Sequence, residues 1–484
     1  MILPDLLKKS DKNLPCIEDG VSLTYGDLDS LSSFIAAELV GKRLGQGDRV
    51  AVLLPNSWHF VAVFFGIVKA GCIATLLDYR SSSREVDFYL EDSKASLLFV
   101  EQSKFEKLAL NSKVPVKVLD TSPHSTLKTI KNSSQDLPYL SEDDVVCILH
   151  TGGTTGKPKG VMLTHRNFSA VLASLSKAWS LERGKEVFGQ ILPMTHSGGL
   201  NCGINSALLS GGPTVMIRKF DPSVFIGRVQ KYGITTFAGV PTIYWSLTSH
   251  ESLAQLSSSS LRLCFCSGAP LSSKIAELFR KKTGITINVG WGLTEASPQL
   301  TVAPFGIFKE NYVGKPINGT ELVSLDSNDN PNEIGEIGEL AAKGPQIMKG
   351  YWMNEKETAL VFTKDRYLKT GDIGYVSDEG VYLLGRKKDV INSGGYKIWP
   401  HEVEKVLMEN EKVKEAAVVG VKDETYGEAV KAFIVLNSEI KIEELKSFCK
   451  ARLSSYKVPK YFDFVDNLPR SSVGKILHRV LRQT

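Results

Sequence analysis

The chain has 484 residues, of which 42% are hydrophobic and 23% are charged, and its formal net charge is +5 at pH 7. This composition excludes disordered and fibrous classes, and the length predicts two or three packed units rather than one core. Because Lys and Arg are mixed with Asp and Glu along the chain, we expect no nucleic-acid partner and no stable membrane insertion.

The cysteines and the chain ends predict a cytoplasmic protein. Seven cysteines lie scattered in mostly apolar stretches, which is typical of buried, reduced thiols. The first residues, MILPDLLKKSDKN, lack the apolar core of a signal peptide, and the last, VLRQT, are not a peroxisomal tripeptide. The sequence is also compatible with a homodimer.

The first predicted elements are a capped helix and a buried strand. Thr24 can cap a helix whose apolar residues, Leu28, Leu31, Ile35 and Leu39, share one face, and GDRVAVLLPN follows as a strand. The apolar stretch from Phe60 to Leu77 contains Lys69, whose charge would cost roughly 2.5 to 3.5 kcal/mol inside a bilayer. We interpret it as a core helix and a strand separated by Gly71.

Helix and strand patterns alternate up to about residue 300. The strands are ASLLFVEQ, DVVCILH, TVMIRKF and LRLCFCSG, and the helices include DPSVFIGRVQKYG and SSKIAELFRKKTG. Such alternation predicts an α/β fold with parallel-rich sheets flanked by helices.

The pattern changes twice after that point. Residues of about 311–385 contain short strands and turn residues, which predicts a barrel-like subdomain within a large N-terminal domain, 1–387. Residues 388–484 begin a new pattern of helices and strands, from HEVEKVLMEN to IEELKSFCKARL. We expect these residues to form a small, mobile α+β domain.

The segment HTGGTTGKPKG, His150 to Gly160, carries the strongest functional signal. It follows an apolar strand directly, and its glycines, threonines and lysines suit a loop that wraps a polyphosphate. It is not a Walker loop, because no glycine stands five residues before Gly156 and Pro158 follows Lys157. A plain surface turn would explain the glycines but not the ordered TTGKPKG run.

This segment resembles the Thr-Ser-Gly-Thr-Thr-Gly-x-Pro-Lys-Gly pattern of the adenylate-forming superfamily, which includes acyl-CoA synthetases, luciferases and adenylation domains. Gly152 stands where the family has serine, so one hydroxyl is missing while the backbone donors remain. Five further segments follow in the family's order: LPMTHSGG, SGAPL, GWGLTE, YLKTGDIG with GRKKD, and LPRSSVGK.

The resemblance implies a role for each matched residue. His196 would lie beside the carboxylate, Trp291 would stack on adenine, Thr294 would contact the α-phosphate, and Glu295 would hold Mg²⁺. Asp372 would bind the ribose hydroxyls. The full set of residues implied in ATP or AMP binding is Thr151, Gly153, Thr154, Thr155, Gly156, Lys157, Lys159, Gly268, Ala269, Pro270, Gly290, Trp291, Gly292, Asp372 and Arg386.

The C-terminal residues would supply a catalytic lysine, a hinge and a segment that contacts coenzyme A. Lys475 matches the family's catalytic lysine, so the implied catalytic set is Lys475, His196, Thr294 and Glu295. Lys388 matches the hinge about which the small domain rotates between the two half-reactions. NSGGYK, with Gly394, Gly395, Tyr396 and Lys397, would then line the path of coenzyme A.

The implied reaction joins a carboxylic acid to ATP as acyl-AMP and then transfers the acyl group to a thiol. ATP, Mg²⁺ and coenzyme A are the expected cofactors. The segments SGGLNCGINSALL and FAGVPTIYW, with Gly199, Leu200, Val240 and Pro241, would border an apolar pocket, which favours a fatty or aryl acid. Three alternatives stay open: an enzyme that charges a carrier protein, a luciferase-like enzyme, and a catalytically silent AMP-binding homologue.

Overall fold

The computed structural model describes residues 1–8, 10–122, 124, 137–152, 158–470 and 476–483. The chain divides into two compact units: unit 1 is Met1–Glu321 with Ala342–Leu368, and unit 2 is Leu322–Ala341 with Lys369–Thr484. Part of the predicted N-terminal domain is thus grouped with the C-terminal residues. The boundary expected at Lys388 is the hinge about which the small domain would rotate, and it stays a prediction.

The helices and strands alternate as the sequence predicted. The helices are α1 Asp5–Lys8, α2 Tyr25–Gly41, α3 Trp58–Lys69, α4 Ser83–Ser93, α5 Gln102–Phe105, α6 His165–Ala178, α7 Ser197–Gly199, α8 Ser206–Ser210, α9 Pro222–Tyr232, α10 Pro241–Thr248, α11 Ser273–Thr283, α12 Glu355–Val361, α13 Pro400–Met408, α14 Ile442–Lys450 and α15 His478–Leu481. A π-helical turn, Leu200–Asn205, joins α7 to α8. The strands are β1 Pro15–Glu18, β2 Ser22–Thr24, β3 Arg49–Leu53, β4 Ile73–Leu76, β5 Leu97–Glu101, β6 Val116–Leu119, β7 Val145–Gly152, β8 Pro158–Thr164, β9 Phe188–Gln190, β10 Thr214–Met216, β11 Thr236–Gly239, β12 Leu263–Cys266, β13 Ile287–Trp291, β14 Thr301–Val302, β15 Tyr312–Pro316, β16 Glu321–Leu325, β17 Gly338–Lys343, β18 Gly350–Tyr351, β19 Leu368–Ser377, β20 Gly380–Arg386, β21 Ile391–Ser393, β22 Tyr396–Ile398, β23 Val413–Asp423, β24 Gly427–Leu436 and β25 Tyr461–Phe464.

The first helices show why the chain folds locally as predicted. Thr24 caps α2 through a capping box with Asp27, in which each side chain accepts from the other residue's backbone N–H. Lys69 ends the fully buried helix α3, and its ammonium donates to Asp29, Ser32 and Ser33 at 2.6 to 3.0 Å. Among the described residues, no helix is long and apolar enough to cross a membrane.

Unit 1 contains two sheets. The first is a 7-stranded sheet in the order β18-β8-β7-β4-β3-β5-β6, in which β7, β4, β3, β5 and β6 are parallel. The second runs β15-β14-β13-β12-β11-β9-β10-β1-β2, and its strands from β13 to β1 are parallel. The predicted α/β class with parallel-rich sheets is confirmed.

A large hydrophobic core joins the layers of unit 1. It includes the fully buried rings of Phe60, Phe64, Phe65, Phe168 and Trp179. Burial of each large apolar side chain stabilises the fold by about 1.5 to 3 kcal/mol. This core holds the ends of the strands, where the polar loops lie, in fixed positions.

Unit 2 contains the antiparallel pair β19–β20, with β17 and β16 beside it, and a 5-stranded sheet of β21 to β25. Helices α13 and α14 cover one face of the 5-stranded sheet through Val403, Leu407, Leu445 and Cys449. This arrangement matches the α+β pattern predicted for the C-terminal residues. A closed barrel over about 311–385 is not confirmed.

Candidate active site

The second sheet of unit 1 gathers several predicted site segments along one edge. The segments after β9, β11, β12 and β13 carry His196, Val240, Gly268 and Thr294 respectively. Because these strands are adjacent and parallel, their carboxyl ends meet at the same edge. The chain passes from β9 to β10 on one side and then crosses to β11 on the other, which makes a topological switch point where ligands of α/β proteins bind.

The segment after β13 is fixed by close backbone contacts. A Cβ on Gly292 would lie 1.9 Å from the carbonyl oxygen of Pro298, so glycine is required there. Trp291 is 6% exposed, while Thr294 and Glu295 begin a short 3₁₀ turn and are half-buried. The Thr294 and Glu295 side chains therefore lie at the sheet edge and are partly accessible.

Glu295 belongs to a small polar network within unit 1. The Tyr351 hydroxyl donates to Glu295 Oε1 at 2.9 Å, and the backbone N–H of Met348 donates to the Glu295 carbonyl at 2.8 Å. Burial and the Glu295 carboxylate raise the pKa of Tyr351, so its hydroxyl stays protonated as a donor. Lys159 Nζ lies 5.1 Å from the Tyr351 ring centroid and is paired with Glu357.

His196 lies where the loops of the two sheets of unit 1 meet. Its Nε2 is 3.4 Å from Asp78 Oδ2, and Asp78 follows β4 of the first sheet. Asn56, which follows β3, accepts from the N–H of Met194 at 2.9 Å and donates to the Leu192 carbonyl at 3.0 Å. The carboxyl ends of both sheets therefore lie together around the segment that carries His196.

The predicted acyl segments are closely packed. Gly199 and Leu200 are buried, and Val240 and Pro241 are half-buried at the start of α10. The π-helical turn also buries two amides: Asn201 donates to the Ser297 carbonyl at 2.7 Å, and Asn205 donates to Asn201 Oδ1 at 2.9 Å. This segment is thus less uniformly apolar than the sequence prediction implied.

The glycine-rich segment is described only at its base. Strands β7 and β8 form a hairpin in which Thr151 pairs with Lys159 and Gly152 with Pro158. The predicted residues Gly153, Thr154, Thr155, Gly156 and Lys157 lie outside the described residues. After β12, Ala269 is half-buried, and Gly268 and Pro270 are exposed.

Unit 2 carries Asp372, which was predicted to bind ribose, and Arg386, which was predicted to bind ATP or AMP. Asp372 and Arg386 face each other in the β19–β20 register, and Arg386 Nε lies 2.7 Å from Asp372 Oδ1. The Asp372 side chain is 7% exposed, whereas that of Arg386 is 41% exposed. The pair is therefore a carboxylate held in place by a guanidinium that still reaches solvent.

The remaining predicted residues of unit 2 are mostly exposed. Gly394 and Gly395 form the two-residue turn between β21 and β22, with φ of +58° and +86°, which only glycine adopts readily at both positions. Tyr396, Lys397 and Lys388 are exposed. Lys475 lies outside the described residues.

Comparison with known proteins identifies the family. The family profile described as AMP-binding enzyme matches residues 8–352, and that of the AMP-binding enzyme C-terminal domain matches residues 402–475. The chain belongs to the AMP-binding enzyme family. The resemblance to adenylate-forming enzymes stated from the sequence is confirmed.

Individual relatives of this AMP-binding enzyme span nearly its whole length. It is 36% identical to a long-chain-fatty-acid–CoA ligase of Bacillus subtilis, over 96% of this chain and 90% of the relative. It is 33% identical to a feruloyl-CoA synthase of an Amycolatopsis species, over 96% and 94%. The structure of ATP-bound MatB from Rhodopseudomonas palustris matches with a TM-score of 0.93 at 28% identity, covering 100% of this chain and 99% of that one.

The described part of this AMP-binding enzyme contains no cluster of three or more His, Cys, Asp or Glu side chains that could hold a metal alone. Mg²⁺ commonly binds through one or two carboxylates together with substrate phosphates, so a single carboxylate such as Glu295 fits that ion. The Glu295 carboxylate is therefore suited to the Mg²⁺ that accompanies ATP.

Sequence reasoning missed three polar side chains of this AMP-binding enzyme: Tyr351, Glu357 and Asp78. Tyr351 and Glu357 lie in the segment KGYWMNEKETA, between the motifs GWGLTE and YLKTGDIG. Their contacts with Glu295 and Lys159 join residues 56 and 198 positions apart. Local sequence patterns do not predict contacts between residues so far apart. For Asp78, only its position after a strand could have indicated a place in the site.

Proposed function

We propose that this protein is an ATP-dependent acid–thiol ligase that forms acyl-AMP from a hydrophobic carboxylic acid and then acyl-CoA. The shared carboxyl edge of β9, β11, β12 and β13 carries the proposal, because His196, Gly268, Thr294 and Glu295 lie along this edge, which contains a switch point. Membership in the AMP-binding enzyme family supports the same reaction.

The chemistry of the first step explains these residue types. A carboxylic acid with an ordinary pKa near 4 is already ionised at pH 7, so no general base is needed. The difficulty is an anion attacking the α-phosphorus of a polyanion, which requires donors and cations held in place. When bound, Mg²⁺ would neutralise phosphate charge beside Glu295. Thr294 would donate to the α-phosphate, and Lys475 would supply a second cation.

We assign Asp372 and Arg386 to the ribose of the nucleotide. A carboxylate with two oxygens can accept from both ribose hydroxyls, and Arg386 fixes its orientation at 2.7 Å. The hydroxyl of Tyr351 likewise fixes the orientation of the Glu295 carboxylate, to which it donates. These contacts orient groups already present in the free enzyme, which lowers the reorganisation that the reaction requires.

The acid is proposed to be fatty or aryl. Leu200 is fully buried and Val240 lies at the same sheet edge, which favours apolar substrates. The relatives named for long-chain fatty acids and for ferulate point to the same class. A set of fatty and aryl acids of graded length tests this.

Coenzyme A is the proposed acceptor. The turn at Gly394 and Gly395 has no side chains to hinder an approaching thiol, and Lys397 is exposed for the nucleotide phosphates. Lys388, exposed in a short 3₁₀ turn, is the proposed hinge between the two half-reactions. The seven cysteines are free and buried, as expected in a reducing cytoplasm.

The test is a panel of carboxylic acids incubated with ATP, Mg²⁺ and coenzyme A, followed for AMP, pyrophosphate and acyl-CoA. Production of all three with a fatty or aryl acid supports the proposal. Acyl-AMP without acyl-CoA would favour a carrier-protein or luciferase-like enzyme. Tight AMP binding without turnover of any acid would show a catalytically silent homologue.

A further inference from the structure

A buried histidine stands at the base of the glycine-rich hairpin. The side chain of His150 is 3% exposed, and its Nε2 lies 2.9 Å from Asp92 Oδ2. In the β7–β8 register His150 pairs with Gly160, next to the pair of Thr151 and Lys159. The imidazole therefore sits one residue before the segment proposed to bind the triphosphate.

Asp92 connects both arms of the hairpin to helix α4. Its carboxylate bonds His150 on β7, while its backbone carbonyl accepts from Trp352 Nε1 at 3.1 Å. The backbone N–H of Trp352 in turn donates to the Gly160 carbonyl on β8 at 2.7 Å. The four residues form a closed ring of contacts around the base of the hairpin.

The imidazole is packed against an aromatic ring and a glycine. The Tyr89 ring lies 4.6 Å from it, centroid to centroid. A Cβ on Gly160 would come within 2.7 Å of Ile148 Cγ2 and 3.5 Å of His150 Nε2, so the glycine keeps this face open for the ring. A buried polar ring is costly unless it is hydrogen-bonded, and an apolar residue would fill the same volume without that cost. What the histidine adds is a directional hydrogen bond from its ring to Asp92.

We propose that His150 and Asp92 form a positioning pair that holds the glycine-rich hairpin in register for the triphosphate of ATP. The inference rests on the proposed function, since it assigns these residues to its nucleotide step. No contact with a reacting atom is assigned to the pair. It acts through Thr151 and Lys159, which flank the phosphate-binding segment.

The test compares variants of the full-length enzyme in ATP–pyrophosphate exchange. His150→Phe keeps the ring and removes Nε2, and it should lower kcat/KM for ATP by about 10- to 100-fold, as small displacements near a reacting group do. The KM for the acid and the conversion of preformed acyl-AMP should not change. His150→Gln, whose amide nitrogen reaches the position of Nε2, should keep most activity.

Two further variants separate positioning from general stability. His165→Phe replaces another buried histidine, which accepts from the N–H of Leu3 at 3.0 Å, and its KM for ATP should match the unmodified enzyme. Asp92→Asn combined with His150→Phe should lower kcat/KM for ATP no further than His150→Phe alone, because both changes break the same interaction. Thermal melts report whether each variant is folded.

Titration with a non-hydrolysable ATP analogue gives a readout independent of turnover. Weaker binding by His150→Phe but not by His165→Phe supports the pair even if no acid is ever activated, in which case only the proposed function fails. An unchanged affinity and KM for ATP in His150→Phe would overturn the inference. So would a His150→Gln variant as impaired as His150→Phe, or an equal loss in His165→Phe.

Discussion

Removal of one hydroxyl, in Tyr351→Phe, tests the link between the Tyr351 side chain and the proposed magnesium ligand. Tyr351 is 7% exposed and its hydroxyl lies 2.9 Å from Glu295 Oε1. Phenylalanine keeps the ring, and with it the contact to Lys159, so the change removes one hydrogen bond to a carboxylate. Such bonds contribute about 1.5 to 3 kcal/mol.

At about 1.4 kcal/mol for each factor of ten, that loss corresponds to about 10- to 100-fold weaker activation by Mg²⁺. The assay is ATP–pyrophosphate exchange at saturating acid over a range of Mg²⁺ concentrations. The expected result is a raised Mg²⁺ requirement with an unchanged KM for the acid.

Tyr25→Phe is the matched control. Tyr25 is fully buried, and its hydroxyl donates to the Gly212 carbonyl at 3.1 Å. That variant should lose about 1 kcal/mol of stability without any change in Mg²⁺ dependence. If Tyr351→Phe and Tyr25→Phe show the same Mg²⁺ curve as the unmodified enzyme, Tyr351 does not orient Glu295 for the metal.

Four other outcomes are expected. Lys475→Ala should reduce adenylation by about 10² to 10³ while acyl-CoA formation from supplied acyl-AMP largely survives, and equal loss of both steps would contradict its assigned role. Lys388→Pro should keep pyrophosphate exchange and lose thioester formation, whereas Lys388→Ala keeps both; two variants alike would remove the hinge. Specificity should rise by about 0.8 kcal/mol for each buried methylene of the acid until the pocket is full, and a preference for acetate would refute this. Burial lowers the pKa of His165 to about 4 from 6.5, so its folded form binds fewer protons than the unfolded chain between these values. The free energy of unfolding that neutral His165 contributes is complete above pH 6.5 and falls by about 2 kcal/mol at pH 5. Unfolding titrations of His165→Gln should not show this part of the loss.

Local sequence patterns predicted the elements of this fold well. The Thr24 cap, the core helix that ends at Lys69 and the parallel strands follow from side-chain periodicity and turn residues, which act over a few neighbours. Placement of the glycine-rich segment at the end of the strand DVVCILH also followed from order along the chain. These features need no knowledge of distant contacts.

Features that depend on distant pairs could not be predicted in this way. Tyr351 bonds Glu295 from 56 residues away, and Asp92 bonds His150 from 58. The segment Leu322–Ala341 belongs to unit 2 although residues on both sides of it in the sequence belong to unit 1. Hydrophobic pattern says which side chains are buried, but not which polar partners meet there.

In the proposed reaction the acid attacks ATP at the α-phosphorus. The most direct measurement uses a carboxylic acid labelled with oxygen-18 in its carboxylate, with ATP and coenzyme A, and mass analysis of the released nucleotide. Formation of acyl-AMP and its transfer to the thiol predict that one labelled oxygen leaves in AMP, with unlabelled pyrophosphate. Label in inorganic phosphate together with ADP would contradict the account.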